Sequence, residues 1–214
     1  VSFRELSATG RRRIAQPEPP ARWGSGTGAP VVLVPGVYET WHFLEAVGDA
    51  LNAAGHPVHT VPALGTNHRP IPDAARAVWR RILDLDLDQV TLVAHSKGGL
   101  IGKHVLAHDD VEGRVVRLVT VATPFRGSTM AYFAPPGALR EFRPDNATIR
   151  VLRTETDVNA FITSIAPVAD DHIPEGSELL GARNVTLPAE GHFRILDDPR
   201  LPPLVVNEVE RLAP

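Results

Sequence analysis

Three residues in this sequence could do chemistry together: a serine, a histidine and an aspartate, each set just after an apolar run. Ser96 ends the run Val90-Thr91-Leu92-Val93-Ala94-His95 and is followed by Lys97-Gly98-Gly99-Leu100. A β-branched apolar stretch that breaks at a serine and resumes as helix through small residues describes a strand, a sharp turn and a helix. On such a turn the serine backbone is strained and its hydroxyl projects past the carboxyl end of the strand. The full elbow pattern is G-x-S-x-G; here Ala94, the next smallest residue, stands in the place of the first glycine. The plainer reading is a serine that merely caps the next helix. The rest of the constellation favours a nucleophile.

A hydroxyl is a weak nucleophile near neutral pH. It needs a base within hydrogen-bond reach, and the base needs an acceptor that holds its tautomer and stabilises the imidazolium. His192 follows the last strand-like run, Asn184-Val185-Thr186-Leu187-Pro188, and Asp170 follows the run from Ala160 to Ile165. In an open parallel sheet, ligands bind beyond the carboxyl ends of the strands. Ser96, Asp170 and His192 are therefore expected at one edge, together with Gly36-Val37 after Val31-Val32-Leu33-Val34. Asp171 is the alternative to Asp170, and Asp157, which precedes its strand, belongs at the opposite edge. His95 is expected to point away from the turn, and His68 and His172 are candidates for the cleft wall. The oxyanion of acyl transfer requires two preorganised N–H donors. The backbone N–H groups of Val37 and Lys97 are the candidates, and the Lys97 ammonium is expected to be exposed.

The elements that must position these residues alternate between strand and helix. Val31 to Val34 is wholly apolar, as in a strand buried on both faces. A helix is expected from Trp41 to Ala54, capped by Thr40, stopped by Gly55, and with Phe43, Leu44, Val47 and Leu51 on one face. A short strand over 57–64 and a loop over 65–70 lead to a helix over 73–85, with Ala74, Ala77, Val78, Trp79 and Ile82 inward. The nucleophile helix runs on to His108. Strands over 115–122, 160–165 and 184–188 and helices over 145–154 and 199–212 complete an α/β fold with a mainly parallel central sheet and helices on both faces. The connection over 128–143 holds Met130, Tyr132, Phe133, Pro135, Pro136, Leu139 and Phe142, unusually apolar for a loop. It reads either as core packing or as an acyl-pocket wall or short lid. Tyr38, Phe125, Met130 and Phe133 are the candidate substrate-binding residues.

At 214 residues the chain suits one domain, expected over 31–214 behind an extended surface arm over 1–30 in which Arg11-Arg12-Arg13 is a solvated patch. A net charge of -3 gives no reason to expect nucleic acid as a partner, and no apolar run approaches the roughly 18 residues of a membrane span. The absence of cysteine excludes disulfides, thiolate metal sites and a cysteine nucleophile. Asp84-Leu85-Asp86-Leu87-Asp88 lacks the glycine and terminal glutamate of a calcium loop and reads as a solvated helix end, so no metal is expected. Val1 to Leu6 carries no apolar leader, which favours a cytoplasmic protein, although a signal peptide could have been removed. Nothing in the sequence fixes an oligomeric state.

At this point the residues resemble the α/β-hydrolase superfamily, specifically its compact bacterial lipases and esterases. Val31 to Val37 is similar to their oxyanion segment, with Pro35-Gly36 where His-Gly is common. Ala94 to Gly98 resembles their small-residue elbow. Val121 to Gly127 resembles a Thr-Pro-His-x-Gly segment with Phe125 at the histidine, and Asp170 to Pro174 resembles an Asp-x-x-Val-Pro turn, which favours Asp170 over Asp171. Gly191-His192 is similar to the catalytic histidine segment. The likeness spans roughly residues 30 to 212 and keeps the order Ser, Asp, His. It implies a minimal α/β-hydrolase fold without a large cap domain, and a cofactor-free serine hydrolase that cleaves small-molecule or lipid carboxylic esters through an acyl-enzyme. The rival readings are an acyltransferase, thioesterase or amidase with the same triad, and a non-catalytic binding protein on a hydrolase scaffold.

Overall fold

A computed structural model describes residues 18–211; Arg11-Arg12-Arg13, the first seventeen residues of the expected arm and the end of the chain from Leu212 lie outside the described residues. Six strands form one parallel sheet: β1 Val31–Val34, β2 Val58–His59, β3 Val90–His95, β4 Val115–Val121, β5 Ile162–Ala169 and β6 Arg183–Glu190, in the order β2-β1-β3-β4-β5-β6. The α-helices are α1 Glu45–Ala53, α2 Ile71–Asp84, α3 Lys97–His104, α4 Ala147–Thr154 and α5 Leu201–Glu210.

The unbroken apolar run of β1 has a direct cause. Val32 and Val34 pack with Ile71, Val78 and Ile82 of α2 and Leu100 of α3 on one face of the sheet. Val31 and Leu33 pack with Val47 and Leu51 of α1 and Leu201 and Val205 of α5 on the other. Each fully buried Val or Leu contributes about 1.5–3 kcal/mol, so a strand with both faces covered has no position at which a polar residue is cheap. This two-sided burial places β3 in the middle of the sheet, and its carboxyl end opens between the two helix layers.

Several elements differ from the sequence expectation. The segment from Trp41 opens as a 3-10 turn, Trp41–Leu44, and becomes α-helical only at Glu45. Thr40 does not cap it, its hydroxyl lying instead 3.0 Å from His42 Nδ1. The second strand is two residues long, Val58–His59, and Pro62, which lacks the N–H a ladder needs, opens the turn Pro62–Leu64. Helix α2 starts at Ile71, before Asp73, with a proline in its first turn, where the missing N–H costs nothing. After His104 the nucleophile helix loosens into a π-turn, Val105–Asp109. Within the described part of the arm, Trp23 is fully buried, edge-on to Trp41 at 5.3 Å, and its Nε1–H donates to Asp49 at 2.7 Å. This part of the chain is pinned into the α1 layer by its indole and does not simply lie on the surface.

Candidate active site

The elbow is built from backbone constraints. Ser96 has φ 52° and ψ −118°, a left-handed conformation that non-glycine residues rarely adopt. Its N–H donates to the Val121 carbonyl at 2.8 Å, and its own carbonyl accepts from Thr123 Oγ1 at 3.1 Å, so the end of β4 and the residues just after it hold the turn from both sides. Gly98 is required by close approach: a Cβ there would come 2.0 Å from the Val34 carbonyl oxygen. That contact sets the start of α3 against the end of β1. These are the two places that carry the candidate oxyanion donors, the N–H groups of Lys97 and Val37, and the first-turn N–H groups of a helix have no intrahelical acceptor.

Ser96, His192 and Asp170 come together at the carboxyl edge. Ser96 Oγ lies 2.9 Å from His192 Nε2, and His192 Nδ1 lies 2.8 Å from Asp170 Oδ2. A carboxylate only accepts, so Nδ1 carries the proton and donates to Asp170, leaving the Nε2 lone pair to accept from the serine hydroxyl. The second oxygen, Asp170 Oδ1, accepts from the backbone N–H groups of His172 at 2.8 Å and Ile173 at 3.2 Å. Burial opposes the charge on Asp170, but its bonds to His192 and His172 outweigh that and hold the carboxyl below its ordinary range. Burial lowers the pKa of His192, with His95 and His172 adding to the effect and Asp170 opposing it. His192 is therefore held in its neutral form at neutral pH, with the Nε2 lone pair facing the Ser96 hydroxyl.

Other expectations resolve differently. Phe125 is 3% exposed and packs in the core on the α2 and α3 side with Ala131 and Phe142, so it belongs to the interior and not to a substrate wall. Tyr38, Met130 and Phe133 are exposed, and the Tyr38 hydroxyl lies near Gly137, where an added Cβ would come 3.6 Å from it. The 128–143 connection thus divides: Ala131 and Phe142 are core, while Met130, Tyr132 and Phe133 face outward. The Lys97 ammonium is not exposed. Its side chain is fully buried, paired with Glu141 at 3.1 Å and bonded to the carbonyls of Asn67 and Arg69, because α3 starts beneath the 65–70 loop. Burial lowers its pKa against the pull of Glu141.

His95 leaves β3 on the Val93 face but is not remote from the site. Its Nε2 lies 3.2 Å from the His192 carbonyl oxygen and its ring 4.9 Å from that of His192. The ring of His172 is 5.0 Å from His192, whereas His68 is exposed beside Thr66. The sequence reading missed Glu39, which accepts from the Gly36 N–H and meets His95, Asn67, whose amide donates to the Pro35 carbonyl at 2.7 Å, and Glu141. All three are buried or nearly so, Glu39 and Asn67 in loops and Glu141 in the 3-10 turn Ala138–Phe142. A glutamate followed three places after a Pro-Gly and an asparagine in a Gly-Thr-Asn turn were the only available signals. Among the described residues no group of three or more His, Asp or Glu has metal-binding geometry, and no helix is long and apolar enough to cross a membrane.

A parallel six-stranded sheet carrying a serine elbow, an acid after β5 and a histidine after β6 defines an α/β-hydrolase architecture. The chain matches the alpha/beta hydrolase fold family over residues 29–164 and belongs to it. Its fold is similar to that of the mature form of the Bacillus licheniformis lipase BlEst2, at 16% identity and TM-score 0.67, covering 91% of this chain and 94% of that one. It is also similar to the Paleococcus ferrophilus monoacylglycerol lipase, at 16% identity and TM-score 0.61, covering 86% and 96%. An extracellular alpha/beta-hydrolase from a Paenibacillus species aligns at 17% identity and TM-score 0.57, over 84% and 97%. No curated protein matches the chain by sequence.

Proposed function

We propose that the protein is a serine hydrolase that cleaves carboxylic esters through an acyl-enzyme on Ser96, with residues 31–214 as its catalytic domain. The observation that carries this reading is the continuous relay of 2.9 Å from Ser96 Oγ to His192 Nε2 and 2.8 Å from His192 Nδ1 to Asp170 Oδ2. His192 takes the hydroxyl proton as Ser96 Oγ bonds to the ester carbonyl carbon. The charge that develops on the carbonyl oxygen is met by the N–H groups of Val37 and Lys97. Collapse breaks the bond to the alcohol oxygen, which leaves with the proton from His192. Water then repeats the sequence on the acyl group and regenerates Ser96. Asp170 stays ionised throughout and stabilises the transient imidazolium.

The exposed Tyr38, Met130 and Phe133, in the connections that follow β1 and β4, support an apolar acyl or alkyl group in the substrate. Two of the fold neighbours are themselves named as a lipase and a monoacylglycerol lipase, which favours the same class. A p-nitrophenyl ester series of increasing chain length measures the preference. The variant Ser96→Ala is expected to abolish turnover of these esters, and its labelling by a fluorophosphonate probe, while melting close to wild type. Retained turnover would refute the assignment.

A further inference from the structure

The relay described above uses one acid–histidine pair, and a second lies directly behind it. Glu39 is 2% exposed and His95 is fully buried. Glu39 Oε2 accepts from the Gly36 N–H at 2.7 Å, and its two oxygens lie 2.8 and 2.9 Å from His95 Nδ1. On the other side of the ring, His95 Nε2 lies 3.2 Å from the carbonyl oxygen of His192. Both ring nitrogens of His95 face an oxygen, the Glu39 carboxyl and the His192 carbonyl, an arrangement that suits a ring donating from both nitrogens. Glu39 raises the pKa of His95 against the pull of burial, which favours an imidazolium facing a carboxylate.

Its connections run through the whole site. Gly36 directly precedes the candidate donor Val37, His95 directly precedes Ser96, and the third contact is the main chain of the base itself. The fit is close: a Cβ on residue 36 would come 2.5 Å from Glu39 Oε1, so the glycine is there to admit the carboxylate. A buried ion pair is a poor route to stability, since apolar residues of similar volume do as well or better. One placed at the junction of three site loops calls for another explanation.

We propose that Glu39 and His95 are positioning residues that lock the oxyanion loop, the nucleophile elbow and the His192 loop into one register. The inference rests on the serine-hydrolase reading. Burial alone would lower the pKa of His95, but Glu39 overrides it and Asp170 adds to the pull, so the pKa is raised. The titratable groups facing His95 are Glu39, Asp170 and His192, with the Phe193 ring at 5.9 Å. The resulting cation sits beside the base and holds the pKa of His192 down, so the pair tunes the base as well as placing it.

Two substitutions separate these roles. Glu39→Gln keeps an acceptor for the Gly36 N–H and offers an amide N–H to a neutral His95, whose Nε2–H still reaches the His192 carbonyl. Glu39→Ala removes the anchor altogether. For a p-nitrophenyl ester, Glu39→Ala is expected to lower kcat by about 10–100-fold with KM changed less than about threefold, the scale of a small misplacement of reacting groups. Glu39→Gln should recover most of that kcat, and the acid limb of its kcat/KM profile should move up toward pH 6.5, the ordinary histidine value, because the neighbouring cation is gone. A Glu39→Ala protein that melts earlier but keeps its kcat would overturn the proposal. If Glu39→Ala does not fold, an unmoved acid limb in Glu39→Gln overturns it. Failure of a fluorophosphonate to label wild-type Ser96 would remove the hydrolase reading and this inference with it. Wild-type labelling and turnover with unresponsive Glu39 variants removes this inference alone.

Discussion

In the proposed mechanism His192 must be neutral to accept the serine proton, and its surroundings favour that form. Burial, with the nearby rings of His95 and His172, lowers its pKa from 6.5, and Asp170 only partly offsets this. A lowered value keeps the imidazole unprotonated to more acidic pH, so the acid limb of kcat/KM for a p-nitrophenyl ester should have its midpoint below pH 6.5. Asp170→Asn removes the one neighbour that raises this pKa, so the limb should move lower still. At the plateau kcat should fall by about 10⁴-fold, because an amide no longer fixes the Nδ1–H tautomer. A profile over pH 4 to 9 of both proteins measures both effects. At this scale the sequence was informative where a side chain follows a strand: Ser96, Asp170 and His192 each occupy that position. It was uninformative for Glu39 and Lys97, because a charged residue reads as solvent-facing until a partner is known. Glu39 finds His95 and Lys97 finds Glu141 through contacts 56 and 44 positions away along the chain.

The 128–142 connection is tied down at both ends. Ser128 Oγ donates to the His172 carbonyl at 2.6 Å and the Thr129 N–H to Glu175 at 3.0 Å, joining it to the loop that carries Asp170. At the far end Glu141 pairs with Lys97 at 3.1 Å and accepts from the Ile71 N–H at 2.7 Å, at the start of α2. Glu141→Gln keeps the Ile71 acceptor but leaves the Lys97 ammonium buried without a counter-charge, which costs about 3–5 kcal/mol. Urea denaturation is expected to show that loss, and amide exchange to quicken across 138–142. Adding Lys97→Met should recover much of it, since an uncharged pair has no unmet charge. Among the elements, those with strong periodicity were legible. The inward faces of α1 and α2, and the β1 and β3 runs, follow from apolar spacing alone. The shortened β2 and the 3-10 opening at Trp41 were not, because apolar spacing does not register which backbone groups find a hydrogen-bond partner.

At the scale of the molecule, two helix layers clamp one parallel sheet, and the layer made by α1 and α5 is completed by a residue from before the first strand. Trp23 is fully buried against Trp41 and hydrogen-bonded to Asp49, and Gly48 lies so near it that a Cβ there would come 2.5 Å from the indole. Trp23→Ala is therefore expected to destabilise the protein by about 3–5 kcal/mol, read as a lower midpoint in urea. A purely surface arm would leave the midpoint unchanged. An isolated tryptophan in a Pro- and Gly-rich passage carries no periodicity, which is why the arm read as external while the α/β alternation behind it was plain.

The backbone at Ser96, with φ 52° and ψ −118°, lies where a side chain is a burden of about 1–3 kcal/mol, and glycine would rest there without it. Foldability and reactivity thus make opposite demands on a single position. If Ser96 is the nucleophile proposed here, a descendant lineage released from bond-breaking work would gain robustness by drifting to glycine at 96, and the hydroxyl would persist there only against a steady thermodynamic incentive to lose it.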